Sequence, residues 1–113
     1  MPMPAQGEVW LTRFDPVEGH EQGGQRPALI ISNDRFNRLP SGLCILVPTT
    51  TRDRGIPFHL RVEPPEGGLD RDSFLLCDQP RTMSTTRLLR RLGVVDEEIV
   101  RAAQRLIGMF IDR

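Results

Sequence analysis

The sequence predicts a mainly β (α+β) fold, a barrel-like sheet of short strands packed by one C-terminal helix. Short apolar or alternating runs recur between residues 7 and 92, and turn-forming clusters such as DP, PSG, RDRG and PPEGG separate them. From Asp96 onward the apolar spacing changes from that of a strand to that of a helix. With 113 residues, 38% of them hydrophobic and 27% charged, the chain suits one soluble domain, 1–113, able to bury a core.

Residues 1–6, MPMPAQ, carry two prolines and form an arm without regular structure. The first strand covers 7–14, with Val9, Leu11 and Arg13 alternating against Trp10 and Thr12. Asp15-Pro16 ends it, and a polar loop with Gly19, Gly23 and Gly24 runs to Gln25. Paired glycines suit a sharp turn or a loop that faces a ligand. Residues 26–32 form a second strand, whose unbroken Ala28-Leu29-Ile30-Ile31 centre predicts burial on both faces. Asn33-Asp34 offers a cap for a short helical turn over 35–37, closed by Pro40-Ser41-Gly42.

A third strand covers 43–47 and is broken at Pro48-Thr49-Thr50-Thr51. After the polar TRDRG loop, 58–62 alternates as a fourth strand with Phe58, Leu60 and Val62 on one side and His59 on the other. PPEGGLDRD is a turn-rich connector to an apolar strand over 73–77, which 79–83 continues as an edge or a bend despite Pro80. Residues 85–92 read as a further short strand. The final helix is capped by Asp96, has Glu97 and Glu98 in its positive first turn, and repeats Ile99, Ala103, Leu106 and Phe110 at helical spacing.

Net charge is zero, so nucleic-acid binding requires a local positive patch rather than a global field. Every one of the 15 basic side chains is arginine, whose planar fork suits bidentate phosphate contacts and base stacking. Cys44 and Cys77 each lie in an apolar run without CxxC spacing, which predicts buried free thiols rather than a disulfide or a metal site. MPMPAQ lacks a basic region and a long apolar region, and no apolar run approaches the roughly 20 residues of a membrane span. The expectation is a cytoplasmic protein with no membrane association, no metal and no cofactor.

Arg26 is the first candidate functional residue. Pro27 biases it towards extended geometry, so a cation is held where a flexible loop meets a buried strand, a suitable place for binding a phosphate. Its plain alternative is a surface ion pair with Glu18 or Glu21. His59 and His20 have side chains suited to acid–base work near neutral pH. For His59 the plain alternative is an exposed strand histidine, with a base contact as a further possibility. Trp10 and Phe14 have the surfaces to stack on bases, although core packing suits Trp10 better. Arg52 and Arg54 are loop cations able to track a nucleic-acid backbone, or simply solvated.

The blocks GEVWLTRFDPVEGHEQGGQRPALIISND, ILVPTTTRDRGIPFHLRV and LLCDQPRTM, in that order and spacing, resemble the MazF/PemK (Kid) family of toxins from bacterial toxin–antitoxin pairs. The resemblance spans nearly the whole chain. It implies an SH3-like barrel acting as a homodimer, a metal-independent endoribonuclease that cuts single-stranded RNA at a short sequence, and an acidic MazE-like antitoxin laid across the RNA groove. Cleavage by the ribose 2′-OH would leave 2′,3′-cyclic phosphate and 5′-hydroxyl ends. The resemblance assigns the charge-stabilising role to Arg26 and the essential hydroxyl to Thr50, with Thr49 and Thr51 as adjacent RNA-contacting positions. Glu21 and Gln22 fall in the loop that approaches RNA, and His20 stands where relatives often have a serine. Gln79 corresponds to a base-contacting glutamine, and Arg81 to a supporting arginine whose alternative is a structural salt bridge. The same barrel also serves toxins that poison DNA gyrase by protein contacts, and a catalytically dead antitoxin-binding module is a third reading. The Arg26 and Thr50 blocks speak against both.

Overall fold

The computed structural model describes residues 3–14 and 24–113. Among these residues seven strands, β1 (Glu8–Phe14), β2 (Gly24–Ile30), β3 (Leu43–Thr50), β4 (His59–Val62), β5 (Ser73–Leu76), β6 (Arg81–Ser84) and β7 (Leu88–Val94), accompany two α-helices, α1 (Asp34–Asn37) and α2 (Glu97–Ile111). The sheet runs β4-β5-β3-β2-β1-β7, with β6 also paired to β3, and its ladders are antiparallel. The chain is therefore mainly β with a C-terminal helix, as its patterning implies, although the sheet is not closed by a ladder between β4 and β7 among the described residues. In place of that ladder, the 3-10 turn Glu66–Gly68 in the connector lies across β7. Gly68 adopts φ +71°, and a Cβ there would overlap the Leu92 carbonyl. A Cβ on Gly93 would in turn stand 2.6 Å from the Gly67 carbonyl carbon, so the two segments touch backbone to backbone.

β3 departs from the expected break. It continues through Pro48 to Thr50 because Pro48 stands where the outer edge of β3 changes partner, from β6 (last pair Leu46↔Arg81) to β5 (first pair Thr49↔Leu75). A residue lacking an N–H is tolerated where that edge has no ladder partner. A different correction applies at the other end of the sheet. β6 is a separate strand rather than a continuation of β5, since a turn intervenes in which Cys77 N donates to Leu75 O at 3.0 Å and Gln79 N donates to Leu76 O at 2.9 Å.

Two apolar clusters lie on opposite faces of the sheet. Val9, Leu29, Val47, Val62, Leu75 and Cys77 pack beneath Val100 and Ala103 of α2. Phe14, Ala28, Ile30, Cys44, Leu46, Met83 and Leu88 form the other, with Trp10 against it. Strand β2 contributes to both, hence its unbroken apolar centre. In β1 simple alternation fails: Val9, Thr12 and Phe14 are all buried, and the β1–β7 pairing shifts register between Val9 and Trp10 and again between Leu11 and Thr12. Each fully buried side chain of leucine size contributes roughly 1.5–3 kcal/mol, so two-sided burial secures these central strands.

Local chemistry sets the remaining elements. Asn33 Oδ1 accepts from Phe36 N at 3.0 Å and caps α1. β2 ends at Ile30 because Ile31 N and Ser32 N both turn to Ile45 O, while Ser32 Oγ donates to Asn37 Oδ1 at 2.5 Å. Asn37 Nδ2 also donates to Pro4 O at 3.2 Å, tying the N-terminal arm to the sheet. Along α2, Ile99, Val100, Ala103, Leu106 and Ile107 face the core, whereas Phe110 is exposed and edges its ring against Phe58 at 5.2 Å. Both cysteines are buried and free, and burial pushes each thiol up to about 11. No helix among the described residues is long and apolar enough to cross a membrane.

Candidate active site

Arg26 lies in β2 opposite Thr12 of β1, and the β2–β3 register (Ala28↔Pro48), carried two residues further, sets it against Thr50. Its Nη1 donates to the Thr49 carbonyl oxygen at 3.5 Å, which fixes the guanidinium at the end of β3. The neighbouring ladder brings in Arg81, paired with Leu46. Both guanidiniums stand against the ring of Phe14, with their central carbons 5.9 Å (Arg26) and 5.3 Å (Arg81) from its centroid. Phe14 is only 4% exposed. It therefore presents two cations to a ligand rather than its own stacking surface, an attraction worth roughly 0.5–2 kcal/mol per pair. Two guanidiniums gathered at one ring repel each other, and an anion bound beside both relieves that repulsion.

The three threonines differ sharply. Thr49 is 4% exposed, and its hydroxyl is committed to the Pro27 carbonyl at 2.8 Å. Thr50 is half-buried, and its Oγ1 accepts from Arg52 N at 3.2 Å, an arrangement that leaves the hydroxyl proton to donate. Thr51, Arg52 and Arg54 are exposed on the loop that follows. Gln79 and Arg81 are exposed, and the 77–80 turn delivers both to this end of the sheet.

His59 faces the side expected from its parity, opposite Leu60 and Val62, but it is not an exposed histidine. Its side chain is 5% exposed, with Nε2 at 3.5 Å from Asp78 Oδ1 and its ring edge-on to Phe58 at 5.5 Å. Such an imidazole offers little surface to a base. His20, Glu21 and Gln22 lie outside the described residues, as do the proposed ion-pair partners of Arg26, Glu18 and Glu21. Among the described residues no cluster of three His, Cys, Asp or Glu side chains is placed to hold a metal ion.

Two features escaped the sequence. Phe14 seats the two arginines, and Asp78 pairs with His59. The only signal for the second was the presence of a carboxylate beside Gln79 in a turn. Trp10, half-buried against the second cluster with Nε1 donating to Glu8 Oε1 at 3.0 Å, is a packing residue as expected.

Together these residues define a small β-sheet protein with two arginines gathered at one phenylalanine and a half-buried strand-end hydroxyl. The model of the PemK-like, MazF-like toxins of type II toxin–antitoxin systems matches residues 5–111, and the chain belongs to that family. It is 34% identical over 95 residues to endoribonuclease EndoA of Bacillus subtilis, an alignment covering 83% of this chain and 82% of that one. Its fold is similar to the crystal structure of MazF (Form-I) from Deinococcus radiodurans, with a TM-score of 0.85, 27% identity and all of both chains covered. It is also similar to a chain in a MazE–MazF structure (Form-II) from that organism, with a TM-score of 0.82, 28% identity, and 98% of this chain and 97% of that chain covered.

Proposed function

We propose that this chain is a toxin endoribonuclease that cuts single-stranded RNA at a short recognition sequence without a metal, and that a MazE-like antitoxin restrains it. The observation that carries the reading is the gathering of Arg26 and Arg81 at the Phe14 ring, with Arg26 held at the end of β3 where Thr50 keeps its hydroxyl. Such a site suits a phosphodiester with an internal nucleophile. The ribose 2′-oxygen attacks the adjacent phosphorus, the bond to the 5′-oxygen breaks, and a 2′,3′-cyclic phosphate and a 5′-hydroxyl result.

Charge gathers on the non-bridging oxygens during this displacement. The Arg26 fork stabilises that charge, and Thr50 donates a hydrogen bond to the same group. In this reading Arg81 holds the neighbouring backbone, and Gln79, Thr51 and Arg52 hold adjacent nucleotides. A guanidinium is a poor proton carrier near neutral pH, so the 2′-OH proton leaves to water or a carboxylate, and the departing 5′-oxygen takes a proton from water to become the 5′-hydroxyl. The reading includes a homodimer, for which the exposed Met109, Phe110 and Ile111 at the end of α2 offer apolar surface. It places the protein in the cytoplasm, where RNA and the antitoxin are found.

The test is to incubate the protein with a long single-stranded RNA in EDTA and to map the ends, alongside Arg26→Ala and Thr50→Ala. Discrete cuts with cyclic phosphate ends, lost in both folded variants, are expected. Uncut RNA with a folded wild-type protein would overturn the reading and make gyrase inhibition the next assay.

A further inference from the structure

Among the described residues, His59 Nδ1 is the buried side-chain polar atom with no hydrogen-bond partner. Stranding an imidazole nitrogen in this way costs stability, and an apolar side chain of similar volume would fill the same space without that cost. Something other than stability therefore accounts for a histidine here. Its surroundings indicate what that is. His59 is the cross-strand partner of Leu76, the last residue of β5, and its Nε2 reaches Asp78 Oδ1 in the turn that follows. That turn is closed by Gln79 N donating to Leu76 O, and two residues later Arg81 stands over Phe14. Behind the imidazole, Phe58 packs edge-on at 5.5 Å and is itself held by Phe110 of α2 at 5.2 Å. The ring is thus packed against Phe58 on one side, and on the other its Nε2 lies 3.5 Å from the carboxylate of the turn.

We infer that His59 is a positioning residue: through Asp78 it fixes the 77–80 turn, so that Gln79 and Arg81 are presented to the RNA in one orientation. It does this without touching the substrate. The inference rests on the reading of the site as a ribonuclease, and the experiment separates the two. RNA cleavage, thermal unfolding and hydrogen exchange of the Gln79 amide are measured for wild type, His59→Phe, His59→Gln, Asp78→Ala and the double variant His59→Phe/Asp78→Ala.

His59→Phe keeps a ring against Phe58 and removes both nitrogens. It is expected to melt at or above the wild-type temperature while kcat/KM falls about 10- to 100-fold, the scale of a slightly misplaced site. His59→Gln, which retains a donor towards Asp78, recovers most of that loss. Asp78→Ala at its part-exposed position lowers cleavage by a similar factor, and the double variant is no worse than either single change. The Gln79 amide exchanges faster in both single variants.

Wild-type cleavage by His59→Phe overturns the inference and leaves the ribonuclease reading standing. Parallel losses of stability and activity with Gln79 exchange unchanged also overturn it, since a plain packing role predicts that pattern. If the wild type itself does not cut RNA, the ribonuclease reading fails. The exchange data then decide alone: faster Gln79 exchange in the variants supports the clamp, and unchanged exchange removes it.

Discussion

Thr49 and Thr50 are chemically identical neighbours, yet the fold uses their hydroxyls in opposite ways. Thr49 donates to Pro27 O inside the sheet, and Thr50 keeps its proton at the half-buried strand end. Thr49→Val is expected to lower stability by about 1 kcal/mol, the worth of one intramolecular hydrogen bond, with cleavage near wild type. Thr50→Ala should leave stability nearly unchanged and reduce kcat by about 100- to 1,000-fold, the usual loss when a donor to the developing charge is removed. Urea unfolding and single-turnover cleavage of both variants check this, and the reverse pattern would move the catalytic hydroxyl to Thr49. The TTT motif alone could not make the distinction, because the acceptor that occupies Thr49 belongs to another strand. His59 repeats the lesson. Its parity was legible in IPFHLRV, but its approach to Asp78 depends on the pairing of β4 with β5, which brings together residues distant in sequence.

Among the elements, those set by local pattern were legible. The α2 spacing and Asp96 start stand in the structure, and β1, β4 and β5 fall within a residue or two of expectation. The passage of β3 through Pro48 was not legible, since it depends on which strands lie beside it. Nor was the connector that lies across β7. Gly68→Ala should destabilise severely, because its φ is +71° and its Cβ would overlap the Leu92 carbonyl, whereas Gly108→Ala in open space on α2 should stabilise by up to about 1 kcal/mol. Thermal unfolding of the two variants reads both signs. The β1–β7 ladder has its own fastening in Glu8, which accepts from Ala5 N, Trp10 Nε1 and Arg91 Nε. Burial pushes its carboxyl up, but these donors and the Arg91 charge outweigh that and hold it below the ordinary value. Its contribution is therefore fully present above the unfolded-state pKa, about 4.3, and is lost as pH falls through the lower folded value. Glu8→Gln should unfold at lower urea than wild type at pH 7, and the gap should narrow as the pH falls below 4. A gap that persisted unchanged would show that the carboxylate charge is not the stabilising feature.

For the molecule as a whole, zero net charge means that the proposed RNA binding has to rest on a few arginines rather than on a long-range field. Binding should therefore weaken only modestly with salt. Three phosphate contacts, from Arg26, Arg81 and Arg52, give a slope of log K against log salt near −2, at about −0.7 per contact for a single strand. Arg81→Ala should reduce that slope by about 0.7 in a fluorescence titration with uncleavable RNA, and an unchanged slope would remove Arg81 from the phosphate track.

The two arginines at Phe14 have a consequence for how the protein is made. Phe14, Arg26, Thr50 and Arg81 come from four strands, and the last arrives only after the connector through the exposed Asp70-Arg71 has been translated. A nascent chain, or a fragment ending in that connector, contains the first arginine but not the second, and lacks β7 to pair with β1. If these residues form the proposed site, that site is incomplete until the final third of the chain has emerged, and two fragments split in the connector should each be inactive alone.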